Sequence, residues 1–352
     1  MNSFFMSGHI FKFISYLCRK APSVIITRKL EAKKARKYLV ALERKYNGNL
    51  STATFNKIVT SYSIYIPMVC DVFAGLRNTK TTVAEKERML LYFICSSILD
   101  DFCDEKKFSQ DKLHSICFKP EQYCAVEPDE KMFLYAHLKL KNYVEDQLYY
   151  DEVTREVFQS QIDSVQQFDP NISDEELKRI TLNKGGYSVL LCQFYFDHKS
   201  ESAERKCWFL LGVIIQFTND LYDIYKDLQA GSITLPGRMT DTYTFRNYFM
   251  ELVDALEKQV YMLPYSSKYK LNFLMDVTAI CSFGSVAIHQ LVALQGTKST
   301  LPNLRQLPRE ALIVDMESRH NIWYCIRYTY TRSLEWRTKT LDEQIFPSTS
   351  GD

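Results

Sequence analysis

Apolar positions along this 352-residue chain recur at helical rather than strand-like spacing. Helical patterns cover 30–46, 54–76, 84–105, 129–168, 174–198, 203–228, 243–261, 268–294 and 309–341, leaving 78–82, 109–128, 229–241 and 297–308 as loops. Alternating runs bounded by turns are few. Glycine, at 11 residues, falls well below its usual share of about 7%. The pattern predicts an all-α fold, and no Pro/Gly/Ser-rich linker divides the chain. The expected organisation is a basic helical extension over 1–47, one α domain over 48–345 and a short tail over 346–352.

Two of the most apolar patterns end in acid. Met89 to Leu99 carries no charge and runs into Asp100-Asp101-Phe102-Cys103-Asp104, and Trp208 to Phe217 leads into Asn219-Asp220, Asp223 and Asp227. At about 100° per residue, Asp100 and Asp104 project within roughly 40° of each other. Asn219, Asp223 and Asp227 follow at i, i+4 and i+8 and form one oxygen-bearing stripe. Mg²⁺ prefers oxygen ligands and is usually held by a few carboxylates together with substrate phosphates. Either cluster alone also fits a helix passing into solvent. Two, each closing a run that reads as buried, would leave costly unpaired carboxylates unless a cation serves them.

Asp100-Asp101-Phe102-Cys103-Asp104 resembles the DDxxD motif of class I terpene synthases and trans-isoprenyl diphosphate synthases. Asn219-Asp220-x-x-Asp223-x-x-x-Asp227 resembles the second metal motif of the terpene synthases, and 119 residues separate Asp100 from Asn219. The stretch Asp227 to Pro236, ending in Thr234-Leu235-Pro236, is similar to a Gly-containing loop of polyprenyl synthases. The resemblance implies a single-domain helical bundle of the class I terpenoid synthase type with a central apolar cavity. Its implied activity is Mg²⁺-dependent ionisation and cyclisation of a C15 to C25 prenyl diphosphate, with three Mg²⁺ ions and Mn²⁺ as a substitute. Asp100, Asp101, Asp104, Asn219, Asp223 and Asp227 are the implied metal ligands.

Between the clusters lies a helical segment that opens on the capping-box signature Ser173-Asp174-Glu175-Glu176 and carries Arg179, Lys184, Gly185 and Gly186. Two helical glycines cost about 1 kcal/mol each relative to alanine, which a kink turning carbonyls toward a pocket would offset. By resemblance, that break supplies carbonyl dipoles near the ionising carbon, while Arg179 and Lys184 contact diphosphate; Lys226, inside the second acidic motif, is a further candidate contact. The Arg327-Tyr328 pair resembles one that terpene synthases carry near their C-terminus for the same purpose. Phe93, Tyr187, Phe194 and Phe217 are pocket-wall candidates, because aromatic faces stabilise cations. Ser96, one turn before the first acidic motif, is small and permits a long substrate.

The chain departs from chain-elongating members in two places. Lys106-Lys107 stands where an Arg pair is expected, and the second cluster opens with Asn219; both favour a cyclase. An isoprenyl diphosphate or head-to-head prenyl synthase remains the alternative, and a noncatalytic isoprenoid-binding helical protein is a third reading. No Asp-x-Asp-Asp run occurs, so protonation-initiated cyclisation is not implied.

The ten scattered cysteines, with no CxxC pair, read as thiols in a reducing, cytoplasmic setting. A net charge of +2 gives no case for nucleic acid. Charge is nevertheless uneven: residues 1–47 hold eleven basic side chains against Glu31 and Glu43, a net +9. Packing on the domain, peripheral contact with an anionic membrane and a targeting peptide are the three readings of this segment, the first preferred. The expected partner is a prenyl diphosphate, and a homodimer is an allowed assembly.

Overall fold

The computed structural model describes the backbone over 2–104 and 108–345 and the side chains over 9–103 and 108–336. Lys106, Lys107 and the 346–352 tail lie outside the described residues. So does the side chain of Asp104.

The fold is all-α, with no strand among the described residues. The first helix, α1 (Asn2–Tyr46), continues through the basic segment without a boundary. Next come α2 (Thr52–Tyr65), a π-helical turn at Ile66–Cys70 and α3 (Asp71–Gly75), which replace one predicted helix by a run with a wide turn in it. Pro67 sits inside that turn. Its missing N–H removes one i→i−4 bond, which accounts for the local widening. Then follow α4 (Val83–Asp104), α5 (Gln110–Phe118), α6 (Pro128–Tyr143) and α7 (Gln147–Asp163). The single helix expected over 129–168 is therefore two. They are divided before Asp146, whose side chain accepts from the Tyr149 N–H at 3.2 Å and caps α7.

The second half contains α8 (Asp174–Cys192), α9 (Ser202–Tyr222), α10 (Ile224–Ala230), α11 (Leu235–Arg238), α12 (Thr242–Tyr261), α13 (Ser267–Gln295), α14 (Arg309–Leu312) and α15 (Arg319–Ile345). Ser173 caps α8 by accepting from the Glu176 N–H at 3.1 Å, as its sequence signature predicts. The pair Gly185-Gly186 does not break that helix. Instead, a Cβ on Gly185 would stand 2.6 Å from the Gly212 carbonyl, and one on Gly186 would stand 2.4 Å from the Phe209 ring. The glycines bring α8 and α9 together, so close packing rather than a kink offsets their low helix propensity.

One continuous hydrophobic core joins most of these helices. At its centre Phe73 stacks on Trp208 at 3.5 Å, and both are fully buried. The runs Thr52–Gly75 and Ser267–Gln295 are long and apolar enough to span a membrane by length and composition, and most of each is buried in the bundle.

Candidate functional site

A cavity of about 440 Å³ opens between α2, the π-turn, α4, α7, α8, α9 and α13. Its walls are largely apolar, built from side chains such as Ile64, Met68, Phe93, Val157, Ile280 and Phe283. Its polar groups include Lys57, Asp100, Gln161, Lys184, Gln216 and Asn219. Phe93, Ser96, Asp100, Lys184, Gly185 and Asn219, each singled out from sequence, thus come to one space from α4, α8 and α9. Helical periodicity explains the convergence. Most of the cavity-lining residues of α4 (Phe93, Ser96, Ser97, Asp100) and of α9 (Gly212, Ile215, Gln216, Asn219) recur at three- and four-residue steps, with Tyr92, Leu99 and Thr218 flanking them.

The two acidic clusters differ in electrostatics. Asp100 is paired with the Lys57 ammonium at 2.5 Å, and Asp101 accepts from the Thr54 hydroxyl, so α2 serves both carboxylates. In the second cluster α9 ends at Tyr222 and Asp223 takes a non-helical conformation (φ −92°, ψ 3°) before α10 resumes. Asp227 accordingly lies on a separate short helix. Burial, and then the negative charge of Asp223, push the Asp227 carboxyl up to about 6. Burial raises Asp220 to about 7, aided by Asp227 and Asp223 and opposed by the Gln216 amide, which donates to it at 2.7 Å. Lys184 lowers both values through its charge, so its ammonium acts on the second cluster.

The remaining candidates lie elsewhere. Arg179 is held by Asp163 and by Glu176, the latter at 2.6 Å. Lys226 is exposed and pairs with Asp223 at 3.6 Å. Gly186 and Tyr187 face Phe209, and Phe194 packs on Tyr149 and Tyr150. Phe217 is fully buried against Phe245 and Tyr248 of α12. Arg327 is exposed on α15, while Tyr328 donates to the Met250 sulfur at 3.5 Å and burial raises its phenol above the ordinary range. None of these residues is among those lining the cavity.

Sequence reasoning passed over Lys57 and Gln216. Gln216 was accessible to it, standing one turn before Asp220 and three residues before Asn219. Lys57 carries no local sign, because only the packing of α2 against α4 brings it to Asp100. Among the described residues no group of three or more Asp, Glu, His or Cys side chains forms a metal-holding cluster. The donor set nevertheless fits Mg²⁺ held by one or two carboxylates with substrate oxygens completing its shell. All donors are hard oxygens, and burial first, with the negative charge of Asp223 adding to it, raises the Asp220 and Asp227 carboxyls, a cost that a nearby cation would lower.

In comparison with known proteins, the chain matches no family model, and no curated protein matches it in sequence. The all-helical single-domain architecture is compatible with a terpene synthase-like fold.

Proposed function

We propose that the cavity receives a linear C15 to C25 prenyl diphosphate and that the protein is a class I terpene synthase, releasing diphosphate and forming a terpene hydrocarbon or alcohol. The observation that carries this reading is the meeting of Asp100, Lys184 and Asn219, from three helices, at one mostly apolar cavity. Asp100, Asp101, Asn219, Asp223 and Asp227 are the residues that would hold Mg²⁺. When bound, the ions would supply stabilisation of charge on the departing diphosphate. Lys184 adds a positive charge beside the second cluster, and Lys57 adds another beside the first. Apolar walls from α2, α4 and α13 exclude water from an allylic cation, and the Phe93 ring and its neighbours offer π faces to it.

The test is to incubate the purified protein and Mg²⁺ with C10, C15, C20 and C25 prenyl diphosphates, with and without isopentenyl diphosphate, and to identify products by mass spectrometry. A hydrocarbon or alcohol from a single substrate is expected. Asp100→Ala and Asn219→Ala should each reduce it on the order of a hundred-fold. Longer diphosphates formed only with isopentenyl diphosphate would replace this reading by chain elongation. No turnover in any combination would replace it by isoprenoid binding without catalysis.

A further inference from the structure

The first half of α1 lies on the bundle by one face only. Tyr16 and Lys20 donate to the Asp276 carboxylate of α13 at 2.7 and 2.8 Å, His9 bonds the Ser333 hydroxyl at 3.0 Å, and Phe13 packs edge-on against Tyr330 of α15. These contacts fix the rotation of the helix. Its opposite face carries Phe11, Ile14, Cys18, Ala21 and Ile25, stepping by 3, 4, 3 and 4 residues, and every one is exposed. Phe11 is 71% exposed, Ile14 49% and Ile25 55%. The stripe runs along the helix for about 20 Å at 1.5 Å per residue.

Beside the stripe is an open groove of about 510 Å³ between α1, α13 and α15. Lys12, Arg19 and Lys268 line it together with Phe11, Leu271 and Met275. Among the described residues no ion pair joins Lys12, Arg19 or Lys268 to an acid. The first 30 residues contain no Asp or Glu; Asp276, which faces α1 from α13, is paired with Lys20. Glu31, further along α1, is taken up by Lys34 and Lys86.

An apolar stripe flanked by cations complements an anionic bilayer, whose acyl boundary takes the apolar side chains while its headgroups meet the Lys and Arg side chains. A second copy is the less fitting occupant, because pairing two such stripes would bring two acid-free basic segments together. We infer that the outward face of α1 seats the protein on an anionic lipid surface, with the Lys12–Arg19–Lys268 groove taking acidic lipid headgroups. The helix lies in the interface and does not cross it, since its inner face stays on α13 and α15.

The full-length protein should be sedimented with vesicles of neutral phosphatidylcholine and with vesicles containing about 30% phosphatidylserine, in about 0.1 M salt. Partitioning to the acidic vesicles should exceed that to neutral ones by at least about ten-fold, given about five-fold per basic residue at the surface. Ile14→Glu with Ile25→Glu should reduce it about ten-fold or more, with the circular dichroism spectrum unchanged because both sites are exposed. Lys12→Ala with Arg19→Ala and Lys268→Ala should erase the preference for acidic lipid. Equal binding to both vesicle types, or none, would overturn the inference. So would a solution dimer that Ile14→Glu with Ile25→Glu dissociates while lipid binding is unaffected, which would assign the stripe to a second copy.

Discussion

Asp220 shows how a single side chain carries the electrostatics of the second acidic cluster. Its folded value near 7 lies far above the ordinary 3.8, with burial as the main cause. A carboxyl raised in the folded state binds its proton more tightly there than in the unfolded chain. Stability from this group is therefore present at low pH and lost as pH rises from about 4 to about 7. Asp220→Asn should stabilise the protein in EDTA at pH 8 by more than about 1 kcal/mol and change it little at pH 4. Urea melts at the two pH values measure this; equal effects at both would mean that the shift is not in play. Lys57 allows a second test. Its pair with Asp100 is partly solvated, so Lys57→Met should cost under about 1 kcal/mol of stability. If Asp100 must exchange Lys57 for a divalent ion, the same variant should lower the Mg²⁺ concentration for half-maximal turnover. A several-fold decrease in a Mg²⁺ titration is the expected outcome, and an increase would mean that the Lys57 charge counts for more toward the diphosphate than as a competitor of the ion.

At the scale of elements, the contact between α8 and α9 sets the geometry of the cavity wall, since Lys184 and Gly185 lie on one helix and Gly212, Gln216 and Asn219 on the other. A methyl on Gly212 would stand 2.3 Å from the Gly185 carbonyl and 2.7 Å from the Val189 Cβ. Gly212→Ala gains about 1 kcal/mol of helix propensity, yet backbone on the facing helix must move to admit it. Net destabilisation of about 1 to 3 kcal/mol is expected, read as a lower urea midpoint with unchanged slope. Stabilisation would show that the two helices separate at little cost. This pairing also marks where the sequence could be read and where it could not. Apolar period made α4, α8, α9, α12 and α13 legible, and the acidic clusters pointed to Asp100 and Asn219. The function of Gly185 was not legible, because a helical glycine reads equally as a break or as a close approach until the facing helix is known. Tyr187 and Phe217 are on helices that pass the cavity, and Phe194 is in the 3-10 turn that follows α8; periodicity alone cannot say which neighbour each ring meets.

At the scale of the molecule, α1 spans two mechanical regimes. Its second half is built into the core through Ala35, Leu39 and Leu42, which are almost fully buried. Its first half holds on through fewer groups, with Asp276 accepting from both Tyr16 and Lys20. Hydrogen bonds involving a charged partner contribute about 1.5 to 3 kcal/mol each, so Asp276 secures the helix more than any exposed apolar contact there. Local opening needs only the loss of such anchors and leaves the core folded. Asp276→Ala should therefore speed tryptic cleavage at Lys12, Arg19 and Lys20 by about ten-fold or more, while the main thermal transition moves little. Mass spectrometry of the fragments distinguishes nicking in α1 from general digestion. Uniform digestion would mean that α1 opens only with the whole bundle. Cleavage at the native rate would mean that Phe13 and its apolar neighbours hold the helix without the carboxylate.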